Sequence, residues 1–237
     1  MKNTVLPAVF AVASLALASC TAHAQEKRPR QLADFQTVSS SGGIDVILSQ
    51  GSKTSVVVEA SPEAQAHVVT EVEDGRLKIG WERNYSWRHL FSNNRHVNVY
   101  VTCPRLSGVS LSGGSDAKGQ SNFSADDFNI SASGGSDMKL TLNAKTLSVE
   151  ASGGSDVALS GRVERQKVEV SGGSDYNGFA LKSTTADVSA SGGSDVNVFA
   201  DGEISSSASG GSDIRYKGSA RVTNSSSSGG GSVRRVD

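Results

Sequence analysis

The phrase Ser-Gly-Gly-Ser-Asp constrains this chain more than any other feature. It occurs six times, beginning at Ser112, Ser133, Ser152, Ser171, Ser191 and Ser209, at intervals of 21, 19, 19, 20 and 18 residues. A decayed copy, Ser228-Gly229-Gly230-Gly231-Ser232, follows 19 residues after the last, and an early relative, Ser41-Gly42-Gly43-Ile44-Asp45, lies upstream. A short fixed period marks a chain built from stacked units, each too small to bury an apolar face alone.

Aligning the copies on their first Ser exposes a second pattern. Val109, Ile130, Val149, Val168 and Val188 stand three positions before it, and Leu111, Ala132, Ala151, Val170, Ala190 and Ala208 one position before. After the Asp come Ala117, Met138, Val157, Tyr176, Val196 and Ile214, with Leu140, Leu159, Val198 and Tyr216 two further on. Apolar residues at every second position are the period of a strand, not of a helix. The expected fold is therefore all-β: a parallel β-helix, or solenoid, with coils of about 19 residues. Each coil would carry two short strands and sit about 4.8 Å above the last. Crossovers between parallel strands favour the right-handed form. If the alternation runs straight through the pentapeptide, its second Ser points inward and its Asp outward, while the glycines let the chain bend.

That reading stacks Asp116, Asp137, Asp156, Asp175, Asp195 and Asp213 in one column. Neighbouring carboxylates at this spacing repel by about 1 kcal/mol even in water, so something must offset the repulsion. Hydrogen bonds from the Ser hydroxyl and backbone N–H groups of the same bend, as in an Asx turn, are one solution. Cations between coils are the other. One identical Asp per coil is what a turn demands, whereas an active site is local and irregular. A lyase or hydrolase acting on carbohydrate, the enzymatic alternative on a β-helix, needs carboxylates converging from several coils. No metal or cofactor is expected.

The N-terminus reads as an export segment. Lys2 precedes an apolar run of 14 residues, Val5 to Ala18, shorter than the roughly 20 that span a bilayer. Leu17-Ala18-Ser19-Cys20 resembles a bacterial lipobox, which would lipidate Cys20 and end the leader at Ser19. Ala22-His23-Ala24 instead suits ordinary signal peptidase, giving a signal peptide of residues 1–24. Either way Cys103 has no intramolecular partner and reads as a buried, hydrophobe-like thiol. Loss of Lys2 takes the formal net charge from −1 to −2, which gives no reason to expect nucleic acid. Residues 25–33 read as a linker and 34–237 as one solenoid domain, with N-terminal coils over 34–106 and the repeats over 107–237.

Within 34–106, Phe35 to Val38, Ile44 to Leu48 and Ser55 to Glu59 read as strands. Ser61-Pro62-Glu63 looks like a helix start, with the helix running to about His67. Asp74-Gly75 looks like a tight hairpin turn. The insertion 82–96 departs from the rest, packing Tyr85, Trp87 and Phe91 among Arg83, Arg88, His89, Arg95 and His96. Aromatic and cationic side chains together suit recognition of a glycan or a protein. The same residues would also serve as a loop or short helix covering a coil.

Phe35 before Ser41-Gly42-Gly43-Ile44-Asp45-Val46, Asp74-Gly75 before Leu77, and Val99 to Leu106 running into Val109-Ser110-Leu111-Ser112-Gly113 together resemble a known bacterial envelope family. It is the "putative auto-transporter adhesin, head GIN domain" family, a domain of unknown function. The resemblance implies a β-solenoid found in lipoproteins and exported proteins and supplies no catalytic residues. The functional expectation is a non-enzymatic envelope scaffold, adhesin-like or ligand-binding, in the periplasm or at the outer membrane surface. Its partner would be an envelope glycan or protein met through Tyr85, Trp87, Arg88 and Phe91. Contact with the membrane would come only through a lipid on Cys20. A structural subunit stacking end to end is disfavoured by Arg234 and Arg235, which charge the last strand.

Overall fold

The computed structural model describes residues 25–83 and 96–237. Its repeats form a solenoid of parallel strands: β9 (Ala117–Ser133), β10 (Asp137–Ser152), β11 (Asp156–Val170), β12 (Asp175–Ala190), β13 (Asp195–Phe199), β14 (Glu203–Ala208), β15 (Asp213–Lys217), β16 (Arg221–Ser227) and β17 (Ser232–Arg235). Asp137 pairs with Asp156, Asp156 with Asp175, Asp175 with Asp195 and Asp195 with Asp213, so equivalent residues of successive repeats stack directly. The alternation read from the sequence becomes the wall of the core. Met138, Leu140 and Leu142 face inward along one side of a coil, and Leu147, Val149 and Ala151 along the other. The inward set changes from even to odd numbers between Leu142 and Leu147, where the chain turns a corner.

Two expectations need correction here. The coils of β9 to β12 do not contain two separate short strands, because pairing continues around that corner: Asn143 pairs with Arg162 and Ala144 with Val163. Pairing runs around this corner even between coils of unequal length, because the extra residues are taken up as bulges opposite Lys139–Thr141 and Ala158–Ser160. Residues 25–33 are not wholly a linker either. They carry β1 (Glu26–Arg30), antiparallel to β4 (Ser55–Ala60). The side-chain amide of Gln65 fastens it, donating to the carbonyls of Glu26 and Val58 at 2.8 and 2.7 Å.

The N-terminal coils are not stacked in chain order. β2 (Thr37–Ser41) and β3 (Ile44–Gln50) form one level. β6 (Arg76–Trp81) and β7 (Val97–Cys103) lie on one side of it, while β8 (Gly108–Ser112) and the start of β9 lie on the other. The chain therefore begins in the second level and leaves it through β4, α1 (Pro62–His67) and β5 (Val68–Glu73). It builds the end level with β6 and β7, then crosses back to β8. Ser61 caps α1 by accepting from the Ala64 N–H at 3.2 Å. Asp74 and Gly75, both at positive φ, close the β5–β6 hairpin. Cys103 is buried, and burial pushes its thiol up to about 11. No described helix is long and apolar enough to cross a membrane.

Candidate functional site

Each Ser-Gly-Gly-Ser-Asp unit makes the second corner of its coil. Its second Ser is inward and fully buried at Ser136, Ser155, Ser194 and Ser212. A hydroxyl there must find a partner, and it donates back to the carbonyl of the first Ser: Ser136 to Ser133, Ser155 to Ser152, Ser194 to Ser191, Ser212 to Ser209, all at 2.8 to 2.9 Å. The serine, not the aspartate, holds the bend.

The aspartates stand outward as expected, but their carboxylates do not cap their own turns. Asp45 Oδ1 accepts the Asp116 N–H at 3.2 Å, Asp116 Oδ1 that of Asp137 at 3.1 Å, and Asp175 Oδ1 that of Asp195 at 3.2 Å. The column thus ties one level to the next. It is also longer than the repeat count suggested. Asp45 belongs to it, with Asn98 in register at one end and Ser232 at the other. Its place was readable from its distance to Ser41, although Ile44 obscured the match.

Beside the column runs a groove of about 540 Å³, lined by Asp45, Asp116, Asp137 and Asp156 together with Lys118 and Lys139. Charge is uneven along it. Ser232 donates to Asp213, and Arg215 bridges Asp195 and Asp213 at 3.2 and 3.1 Å. The Ser232 bond, with help from the arginines, lowers the Asp213 pKa. Asp156 has no such help. Burial, then the carboxylates of Asp137 and Asp175, raises its pKa. Burial is also the main cause of a raised pKa at Asp45, partly opposed by the Asp116 N–H bond. No group of His, Cys, Asp and Glu among the described residues has the arrangement of a metal site.

A carboxyl whose pKa rises on folding destabilises the fold in its charged form. That penalty is absent below the usual carboxylate range and grows as pH climbs through it. Asp156→Asn is therefore expected to raise the melting temperature at pH 7, with the gain vanishing as pH falls below about 4. Thermal melts of both proteins at the two pH values test this. A gain that persists in acid would mean that charge in the column is not the cause.

The end level departs from this plan. β2 and β3 join through Ser41-Gly42-Gly43, and β8 and β9 through the first full pentapeptide. β6 and β7 occupy equivalent places, so residues 82–96 connect them where other levels have a glycine corner. Trp81, at the mouth of this connection, donates its indole N–H to the Gly42 carbonyl at 2.8 Å. It lies so close that a Cβ on Gly42 would come within 2.8 Å of its ring. The proposed contact residues Tyr85, Trp87, Arg88 and Phe91 lie outside the described residues, as does Cys20.

Solved structures share the architecture. A putative adhesin from Bacteroides fragilis superposes with a TM-score of 0.80 at 21% identity, covering 90% of this chain and 97% of the other. A putative lipid binding protein from Parabacteroides distasonis gives 0.70 at 20% identity, and a putative adhesin from Parabacteroides merdae 0.70 at 16%, with the same coverage. At such identities the likeness is one of fold. No curated protein sequence matches the chain. The family model described as "Putative auto-transporter adhesin, head GIN domain" matches residues 34–220, spanning both the interleaved N-terminal levels and the repeats, and the chain belongs to that family.

Proposed function

We propose that this protein is an exported, non-enzymatic binding scaffold of the cell envelope, adhesin-like in action, with residues 82–96 as its main contact segment. The observation that carries this is the place of that segment. Fifteen residues join β6 to β7, whereas the other levels turn within a few residues around glycines. Long irregular connections on regular scaffolds are where binding usually resides. The composition agrees, since Tyr85, Trp87, Arg88 and Phe91 are of the types that dominate binding energetics. The carboxylates on the solenoid favour the non-enzymatic reading, because they repeat identically from level to level.

A lipid on Cys20 would hold the scaffold at the membrane and leave the far levels to project from it. The test uses purified mature protein against native envelope material. Trp87→Ala with Arg88→Ala should weaken capture by more than about 2 kcal/mol, the scale of a hot spot, with the melting temperature almost unchanged. A large fall in melting temperature would make the segment a structural lid. Unchanged capture with unchanged stability would remove it from the functional account.

A further inference from the structure

From β12 to β13 and β14 the corner opposite the glycine turns is cut short, with seven residues between Asn177 and Thr185 but five between their partners Asn197 and Glu203. Asp175 to Asp195 spans 20 residues and Asp195 to Asp213 only 18. The strand run lapses between Phe199 and Glu203. Across this corner lies a concavity of about 680 Å³, lined in part by Asn143, Arg162, Glu164, Lys182, Phe199 and Asp201. That volume falls in the usual range for ligand sites, about 300–1,000 Å³.

Three observations set this concavity apart from an incidental dent. First, Asn143, Arg162 and Lys182 stand in one row across β10, β11 and β12. Two cations thus sit on adjacent coils, with the carboxylates of Glu164 and Asp201 in the same lining. Second, the Arg162 guanidinium is exposed and has no ion pair or hydrogen bond within the described chain, while Lys182 Nζ rests 3.4 Å from the centre of the Phe199 ring. Third, the floor is fixed from behind. The Phe199 carbonyl accepts from Ser183 Oγ at 2.5 Å and from Gln166 Nε2 at 3.1 Å, and Gln166 Oε1 accepts from the Tyr176 hydroxyl at 2.9 Å. Gln166, Ser183 and Tyr176 are all buried. A satisfied buried network of this kind rigidifies what it supports.

The lining selects a class of ligand. Arg162 and Lys182 are matched by Glu164 and Asp201, so the site has no net charge with which to attract an anion. Its lining mixes charged and amide groups with Ala144, Val163 and Phe199, which suits a guest that has both polar and apolar faces. What it offers is donors and acceptors about one coil spacing apart around one aromatic ring, the complement of a ring of hydroxyl groups. The geometry points to a subsite for a neutral sugar of a polysaccharide, hydrogen-bonded by Asn143, Arg162, Glu164 and Asp201 beside the stacked Lys182 and Phe199 side chains. This assignment rests on the reading of the chain as a binding scaffold but engages a different part of it.

The experiment is calorimetric titration of the mature chain with neutral gluco-, galacto- and manno-oligosaccharides. Oligogalacturonate and anionic phospholipid vesicles serve as comparators. At least one neutral series should bind. Arg162→Ala with Lys182→Ala should weaken that binding at least tenfold without lowering the melting temperature, and Asn143→Ala, a milder surface change, should weaken it in the same direction. The Trp87 and Arg88 variant should retain it. Absence of binding by every neutral series, undiminished binding by the Arg162 and Asn143 variants, or binding of the charged comparators alone would each overturn the assignment. Failure of the scaffold reading looks different, because envelope material would then go uncaptured by every form of the protein.

Discussion

Gly192→Ala is expected to destabilise the solenoid by about 3 kcal/mol, whereas the same change one residue later, at Gly193, should stay within about 1 kcal/mol of the parent. Both are glycines of a single pentapeptide, and the sequence does not distinguish them. Gly192 has φ of +82°, and a Cβ there would lie 2.6 Å from the carbonyl oxygen of Gly172, the equivalent glycine of the coil before. Left-handed backbone costs an L-residue about 1–2 kcal/mol. Forcing an atom into close-packed backbone adds a similar amount, because the stacked coil cannot move away without breaking its own pairing. Gly193 is not at positive φ, and the nearest atom to its Cβ is 3.8 Å away. Denaturant midpoints of the two variants decide the matter. Equal losses would mean that the corners do not stack as described.

Val149→Asp should cost about 4 kcal/mol, at the upper end for a single substitution. Val149 is fully buried in β10, in register between Ile130 and Val168, both also buried. No donor waits there for a carboxylate, so the group must either be buried unpaired or take up a proton and still lack partners. Its neighbour makes the control. Glu150 points outward and stands in register with Glu169, so Glu150→Lys exchanges a like-charge pair for an opposite one and should fall within about 0.5 kcal/mol of the parent. Comparable damage from the two changes would overturn the inward and outward assignment along the whole repeat.

The period and the parity of the repeat were legible because both are written in side-chain type. Val149 and Glu150 differ in the chemistry that assigns their faces. The order of the first levels was not legible. Ser41-Gly42-Gly43 and Ser112-Gly113-Gly114 are equally good corners, and nothing in either says that another level lies beyond the first. β1 escaped notice because Glu26-Lys27-Arg28-Pro29-Arg30 lacks a strand's composition. Its pairing comes from an edge, where proline and charge are tolerated. The Asp column faces outward, as unbroken alternation implied, but bonds within its own turn were one of two solutions offered, and at Asp45, Asp116 and Asp175 they run between levels. That distinction depends on stacking geometry, which no single copy contains. Arg162 and Lys182 were overlooked because each is an ordinary surface residue of its own coil. The signal that bore on them was the step from 20 to 18 residues, which reads as drift beside the equal step from 21 to 19.

The interleaving of β2 and β3 between β6–β7 and β8–β9 bears on how such a molecule can change size. The level begun first, over residues 37–50, lacks one neighbour until the chain has reached residue 103 and the other until residue 119. These three levels are an all-or-none foundation, since removal of any one leaves a gap with apolar surface on both sides. From β10 onward each level leans on the one before it. A unit of 19 residues inserted or excised there would shift its successors along the axis and leave their pairing intact. Growth and shortening are therefore open only on the repeat side of the molecule, and a duplication there would lengthen the scaffold without disturbing the foundation.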